Sequence, residues 1–313
     1  MLYIIRRLVL FIVTVALVSI ITFGVFQILP GDPVKTMLGT EADEVQIESL
    51  RKELGLDRPL HEQYMDWVQG LFTGDLGNSI RFSMPVSDLL MDRLPVTLSV
   101  ASLALVIVLF VALPLGIFVA KRQNKLSDVL LSSATQLGMA IPSFWLGMIL
   151  IIYIGMNFDF FKINGYVPWS ESIAGALSTL VLPALTIAIP QIAVKFRYVR
   201  TSILEQMQLD YVRTIRSKGL PEKIVMYKHI LKNSMIPILT IFGLITAEVV
   251  AGTIIVEQVF ALPGVGQLLI TSISYRDFPL VQGIVMYITV TVVFINFVVD
   301  ILYSVIDPRI RLR

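Results

Sequence analysis

Six apolar runs, each long enough to cross a bilayer as a helix, restrict the fold of this chain more than any other feature. A helix needs roughly 20 apolar residues to span the ~30 Å hydrocarbon layer, where every backbone polar group must be satisfied internally. The runs lie at about 8–29, 97–120, 129–155, 173–194, 235–257 and 279–306. They predict an all-α integral membrane protein with six transmembrane helices.

The composition excludes several classes of soluble protein. Hydrophobic residues make up 56% and charged residues 15% of the 313, whereas soluble domains have roughly 45–50% and 25%. A water-soluble enzyme, a nucleic-acid-binding protein and a disordered chain are therefore excluded. The first run follows Arg6 and Arg7 as in a signal peptide, but it is too long, and residues 29–33 do not form a small-x-small cleavage site. We interpret it as an uncleaved first span.

Lysine and arginine are unequally distributed between the two sides that these spans define. One side carries 17 of the 25 basic residues, including both termini, and the other carries 8. Basic residues concentrate on the cytoplasmic side of membrane proteins. The distribution therefore predicts a multi-pass protein with its N- and C-termini in the cytoplasm.

The external segment 30–96 is predicted to contain two short helices. Thr40 is a candidate cap for the first helix and Gly55 a candidate stop, and Pro59 suits the start of the second. The apolar face of each helix is too small to be buried alone, so both are predicted to lie against the outer ends of the spans. They serve either as a packing cap or as a docking surface for an external partner.

The internal segment 196–233 is predicted to contain a short helix over 211–218, with Asp210 as its cap and Gly219 as a left-handed stop. The apolar residues Tyr211, Val212 and Ile215 share one face, and the basic residues on the other are Arg213, Arg216 and Lys218. Pro221 suits the start of a further helix that carries Lys228, His229 and Lys232 near its end. Attraction to anionic lipid requires only charge. A capped helix, a stop and a new start favour docking to a cytoplasmic protein instead.

Two acidic residues fall within the fifth run. Glu248 lies near its middle, where a charge costs at least ~2.5–3.5 kcal/mol unless it faces water or a partner. It is therefore a candidate for a water-lined pathway, and the alternative is a structural hydrogen bond to a neighbouring helix or subunit. Glu257 lies near the outer end of the run and is predicted to be interfacial, in contact with water.

Residue patterns for catalysis or for cofactor binding are missing from the sequence. It has no G-x-x-x-x-G-K-[ST] phosphate loop, no cysteine and two histidines, of which His61 lacks a zinc-ligand partner four residues later. No serine elbow or intramembrane aspartate pair is present either. The sequence predicts a chain that is not an enzyme and binds no metal.

The stretch Asp210-Tyr211-Val212-Arg213-Thr214-Ile215-Arg216-Ser217-Lys218-Gly219-Leu220 resembles the EAA loop of bacterial ABC importer permeases. Ile215 departs from the alanine that is common at this place in the peptide branch. Other stretches resemble, in order, the B-type subunit of the dipeptide/oligopeptide/nickel permeases: 29–33, 54–60, 74–77, 93–98, 229–233, 260–266, 276–279, and 300–303 with 307–311. The resemblance covers the whole chain.

The resemblance implies a type I ABC importer permease of the bacterial cytoplasmic membrane. Residues 1–96 would hold the first helix and an extracytoplasmic helical insertion, 97–306 the permease domain with the coupling loop 196–233, and 307–313 a cytoplasmic tail. The implied partners are a second homologous permease, two cytoplasmic ATPases, an extracytoplasmic substrate-binding protein and the lipid bilayer, with no nucleic acid. ATP and Mg would be bound by the ATPases, and no cofactor by this chain. The implied ATPase-coupling residues are Asp210, Tyr211, Arg213, Thr214, Arg216, Lys218, Gly219, Leu220 and His229.

Three functions remain open at this point. The first is ATP-driven import of di- or oligopeptides, with Glu248 in the translocation pathway. The second is import of nickel or a metallophore by the same kind of complex, which the lack of a His or Cys cluster does not decide, because the binding protein selects the substrate. The third, from another class, is a channel-like membrane protein that ATP does not drive.

Overall fold

The computed structural model describes residues 2–28, 34, 38, 43–53, 55–163 and 165–306. The helices in these ranges are α1 (Leu2–Ile28), α2 (Glu44–Glu53), α3 (Leu60–Thr73), α4 (Val86–Ala120), α5 (Leu126–Ala140), α6 (Ser143–Gly155), α7 (Ile173–Met207), α8 (Asp210–Ser217), α9 (Glu222–Val259), α10 (Val265–Ser274) and α11 (Phe278–Ile306). Of these, α1, α4, α7, α9 and α11 are long and apolar enough to cross a membrane, and the bent pair α5–α6 provides a sixth span if it counts as one. The predicted all-α membrane fold is confirmed.

The third predicted span, 129–155, is not one straight helix. The axes of α5 and α6 differ by 103° across a short break. Pro142 has no N–H to donate and forces the preceding Ile141 into an extended conformation, with φ −83° and ψ 120°. The last turn of α6, Ile151–Gly155, is π-helical.

Two helices continue well beyond the apolar runs that predicted them. Helix α7 continues to Met207, past the expected end at 194, and α9 begins at Glu222, before the expected start at 235. The predicted inner segment 196–233 therefore consists mostly of helix. The further helix expected after Pro221 and the fifth span are one element, α9, with a π-helical stretch at Val225–Ile230.

The chain divides into two compact units. The first comprises Met1–Val96 and Pro263–Phe297, and the second comprises Thr97–Leu262 and Val298–Arg313. Each unit contains residues that contact one another more than they contact the rest of the chain. The organisation expected from the resemblance, with an insertion before residue 97 and a permease domain after it, stays a prediction.

In the first unit, α3 packs against the C-terminal half of α1. The Tyr64 hydroxyl and Ser19 Oγ lie 2.8 Å apart, and the Phe23 ring contacts the rings of Tyr64 and Trp67. The expectation that the short helices lie against the spans is confirmed for α3. Gly55 has φ +66° just after α2, as the predicted stop requires, whereas Thr40 lies outside the described residues.

In the second unit, α7 is the most buried of the long apolar helices and packs against α5, α6 and α9. Glu257 on α9 is also fully buried, so its predicted contact with water is wrong. The hydroxyl of Thr97 on α4 donates a hydrogen bond to Glu257 Oε1 at 2.6 Å. Helix α4 therefore supplies the polar contact of Glu257 that the sequence analysis assigned to water.

Candidate functional site

Helix α8 is anchored to the second unit by its apolar face. Val212 is fully buried, and Tyr211 and Ile215 pack against the same cluster. The buried residues of this cluster from α4, α7 and α9 are Ala120, Val199, Ile203, Val225, Met226, Ile230 and Ile238. The Tyr211 hydroxyl also donates a hydrogen bond to Gln206 Oε1 at 3.0 Å. Because a helix of eight residues is unstable alone, apolar burial is what holds it in place.

The outer side of α8 and the turn after it are exposed to solvent. The predicted coupling residues exposed there are Asp210, Arg213, Thr214, Arg216, Lys218, Gly219 and Leu220. Tyr211 is half-buried against the cluster, and His229 is half-buried on α9. The structure therefore brings seven of the nine residues to one exposed segment, and their contact with an ATPase stays a prediction.

Asp210 does not cap α8, contrary to the sequence prediction. It is the first residue of the helix, and the preceding Leu209 occupies the cap position with φ −72° and ψ 147° and no side-chain hydrogen bond. A carboxylate in the first turn is still favourable, because the helix N-terminus carries a partial positive charge. The Asp210 carbonyl accepts a hydrogen bond from Thr214 Oγ1 at 3.1 Å.

Gly219 ends this segment in the left-handed conformation, as predicted, with φ +74°. Its N–H donates a hydrogen bond to the Arg216 carbonyl at 3.0 Å. A Cβ added at Gly219 would meet no atom within 4 Å. A side chain there would therefore strain the backbone without causing a clash.

We expect Gly219→Val to lower substrate-stimulated ATP hydrolysis of the reconstituted complex about fivefold or more, because roughly 1–2 kcal/mol of backbone strain displaces the turn beside α8. The matched control is Gly74→Val. Gly74 ends α3 with φ +84° and has the same open space around it, so it carries similar strain away from α8. Equal losses in the two variants, or no loss in either, would show that the turn at Gly219 has no special role.

A bidentate ion pair joins the end of α8 to the start of α9. Arg216 donates to the Glu222 carboxylate through its Nε at 3.2 Å and through a terminal nitrogen at 2.7 Å. These hydrogen bonds raise the pKa of Arg216 above its ordinary value, and partial burial opposes the effect. The guanidinium therefore remains charged at every physiological pH, and the turn between the helices is cross-linked.

Glu248 pairs with Lys195, one of the 17 basic residues that the sequence analysis assigned to the cytoplasmic side. Lys195 Nζ on α7 donates to Glu248 Oε2 on α9 at 3.0 Å. The lysine side chain is 4% exposed and the glutamate side chain 51%. The structural alternative for Glu248, a hydrogen bond to a neighbouring helix, is therefore present, and its place in a water-lined pathway stays a prediction. Gln191, one helical turn before Lys195, has a buried side-chain oxygen without a hydrogen-bond partner in the described structure.

A second ion pair between helices, formed by Asp128 and Arg200, was also not predicted from the sequence. Arg200 on α7 donates twice to the carboxylate of Asp128 on α5, both at 2.8 Å. The Asn124 N–H and the Ser132 hydroxyl donate to the same carboxylate at 2.9 and 3.2 Å. The one hint of this pair in the sequence is that Asp128 directly precedes the apolar run at 129–155.

In the first unit, Asp277 is a buried carboxylate that holds two distant segments together. It accepts hydrogen bonds from Ser79 Oγ at 2.5 Å and from the backbone N–H groups of Ile80 and Arg81, both at 3.2 Å. It also accepts one from the Leu280 N–H at 3.3 Å, in the first turn of α11. Arg81 in turn stacks over the Tyr275 ring, 3.1 Å from its centroid. The motif at 276–279 is visible in the sequence, but no sequence feature indicates that the loop at 79–81 is its partner.

Within the described ranges, no group of three or more His, Cys, Asp or Glu side chains is arranged to hold a metal ion. The charged side chains that do come together form ion pairs between helices. Further charged residues lie on the exposed side of α8. The prediction that the chain binds no cofactor itself stays a prediction.

Comparison with known proteins relates the whole chain to transport components. The family described as "Binding-protein-dependent transport system inner membrane component" matches residues 112–312, and the corresponding N-terminal family matches residues 1–101. The chain is 36% identical over 312 residues to the oligopeptide transport system permease protein AppB of Bacillus subtilis. It is 35% identical over 312 residues to the dipeptide transport system permease protein DppB of Lactococcus lactis. Both alignments cover 99% of each chain. A Brucella abortus protein named as a peptide transport system permease is 41% identical over 295 residues, or 94% of each chain.

Proposed function

This chain belongs to the family of binding-protein-dependent transport system inner membrane components, and we propose that it is the permease subunit of an ATP-driven ABC importer that carries di- or oligopeptides into the cytoplasm. The names of the relatives, which are oligopeptide and dipeptide permeases over nearly their full length, support this substrate class. ATPase and substrate-binding subunits are the general partners of such a permease. A heterodimer with a second homologous permease is part of the proposal.

The observation that carries the proposal is the construction of α8. Its inner face is fixed to the second unit by the buried Val212, and its outer face presents charged residues to solvent. A helix built in this way transmits a push or pull from a bound protein to the helices around it. We assign ATPase docking to this outer face and energy input to the partner subunits, which supply the nucleotide site.

The orientation of the chain follows from the same assignment. If α8 docks a cytoplasmic ATPase, both termini lie in the cytoplasm, and the 30–96 segment lies outside with the substrate-binding protein. The excess of lysine and arginine on the α8 side supports this orientation.

Two contacts connect α8 to the membrane-spanning helices α7 and α9, so that a movement of α8 would be transmitted to them. Val212 packs with residues of α7 and α9, and Arg216 bonds Glu222 at the first residue of α9. Closure of the ATPases on ATP would therefore displace α8 together with α7 and α9. We propose that this displacement alternates the pathway, which includes Glu248, between its inward-facing and outward-facing states.

The test is uptake by proteoliposomes that contain this chain, the second permease and both ATPases, with the binding protein added outside. We expect uptake of labelled di- or oligopeptides that requires ATP hydrolysis, and no ATP hydrolysis by this chain alone. Uptake of Ni²⁺ but not of peptides would replace the substrate assignment. Peptide movement through this chain without ATPases would contradict an ABC importer.

A further inference from the structure

The two side chains of the Lys195–Glu248 pair differ strongly in solvent exposure. An ion pair that serves only to hold two helices together does not require this difference. Lys195 is enclosed within the second unit, but half of the Glu248 side chain is exposed. Glu248 belongs to an exposed stripe on α9, at spacings of three and four residues, that continues through Ala251, Ile255 and Gln258. A carboxylate near the middle of a membrane span is too costly to face lipid. The stripe therefore faces a water-filled space or a protein partner, and under the proposed function that space is the peptide pathway.

The pair has no net charge, although it places a carboxylate on that stripe. An unpaired charge at this depth would attract solutes of opposite sign and repel those of like sign, because water screens charges poorly in a narrow protein-lined space. Peptides differ in charge through their Lys, Arg, Asp and Glu side chains. A pathway that must pass peptides of either sign therefore benefits from a carboxylate whose charge is cancelled nearby.

We propose that Lys195 neutralises Glu248 so that the pathway accepts peptides irrespective of the charge of their side chains. The Glu248 carboxylate can then accept hydrogen bonds from the backbone N–H groups that all peptides share. Because its charge is cancelled by Lys195, it does not select peptides by charge. This inference rests on the proposed function as a peptide importer, and it assigns to Lys195 a specificity-determining role.

The direct test is Lys195→Met, which removes the buried charge and keeps a side chain of similar length. Uptake of Ala-Lys-Ala, Ala-Glu-Ala and Ala-Ala-Ala is measured at low peptide concentration, with the same binding protein for every variant. Dividing each variant's uptake by the wild-type uptake cancels the selectivity of the binding protein. We expect the ratio of Ala-Lys-Ala to Ala-Glu-Ala uptake to rise about tenfold, because an unpaired carboxylate attracts the cationic peptide and repels the anionic one.

Two more variants separate the effect of charge from the effect of shape or misfolding. The double variant Lys195→Met with Glu248→Gln is neutral again, and we expect its ratio to return to the wild-type value. Ala251→Glu adds a carboxylate one turn along the stripe and leaves the pair intact, and we expect the ratio to rise as in Lys195→Met. The control Lys125→Met removes an exposed lysine just before α5 and should leave the ratio unchanged.

The outcomes distinguish this inference from the proposed function. If the wild-type complex takes up none of the three peptides, the proposed function fails. If it takes them up but Lys195→Met and Ala251→Glu leave the ratio constant or lower it, the charge-neutral pathway is wrong and the pair is structural. A double variant that keeps the raised ratio would also overturn the inference.

Discussion

Val212→Asp is expected to abolish ATP-driven uptake, with a loss of about a hundredfold or more, while the chain remains in the membrane. Val212 is fully buried among side chains of α4, α7 and α9. A carboxylate at this position would be buried without a partner, which costs several kcal/mol or expels α8 from the cluster. Since α8 lies outside the long apolar helices, insertion of those helices is unaffected. The measurement is peptide uptake and ATP hydrolysis by the reconstituted complex.

The matched control is Val45→Asp on α2, where the valine is 73% exposed and the aspartate stays in water. We expect wild-type uptake from this control and an intermediate loss from Val212→Ala, which only leaves a small cavity. If Val212→Asp retained uptake at normal expression, α8 would not need its anchor, and the proposed route from ATPase to spans would be wrong.

Asp277→Ala is expected to release the loop at residues 79–81 from the first turn of α11. The substitution leaves the buried Ser79 hydroxyl and the partly buried N–H groups of Ile80 and Arg81 without their acceptor. A buried donor left unpaired costs about 1–3 kcal/mol. Arg81 then becomes a more accessible trypsin site. We expect cleavage after Arg81 to become at least about tenfold faster in membranes that contain the variant, since about 1.4 kcal/mol of local stability is a factor of ten.

The control for this second variant is Asp75→Ala. Asp75 is an exposed carboxylate in the same region that accepts one hydrogen bond, from the Gly77 N–H at 2.9 Å. Its loss should leave the rate of cleavage after Arg81 near that of the wild type. Cleavage of Asp277→Ala at the wild-type rate would mean that other contacts hold the loop and that the carboxylate is dispensable there.

The parts of this fold that local sequence determines were predicted well. Apolar runs of bilayer length predicted the positions of the long helices. Glycines suited to positive φ predicted the turns at Gly55 and Gly219. Each of these features depends on neighbours within a few residues. Helix α8 was predicted for the same reason, although its cap was assigned to Asp210, one residue too late.

The interhelical contacts of Glu248 and Glu257, which the sequence did not predict, join residues far apart in the chain. Lys195 and Glu248 are 53 residues apart, and Thr97 and Glu257 are 160 apart. Lys195 follows directly on an apolar run, so charge counting placed it in water, whereas α7 continues through it. Hydropathy also joined α5 and α6 into one span, because a run of apolar residues does not reveal the direction that a helix takes after Pro142.

The continuity of α9 has a geometric consequence. Its first residue, Glu222, is tied to Arg216, and Glu248 lies 26 residues further along the same helix. At 1.5 Å per residue this is about 39 Å, so a tilt of about 10° at the Arg216 end would sweep Glu248 through roughly 7 Å. That is more than the width of a peptide backbone. The helix would then act as a lever arm. The π-helical stretch at Val225–Ile230 lies close to its pivot, whereas Pro237 lies 15 residues along the helix, just beyond the midpoint of the arm.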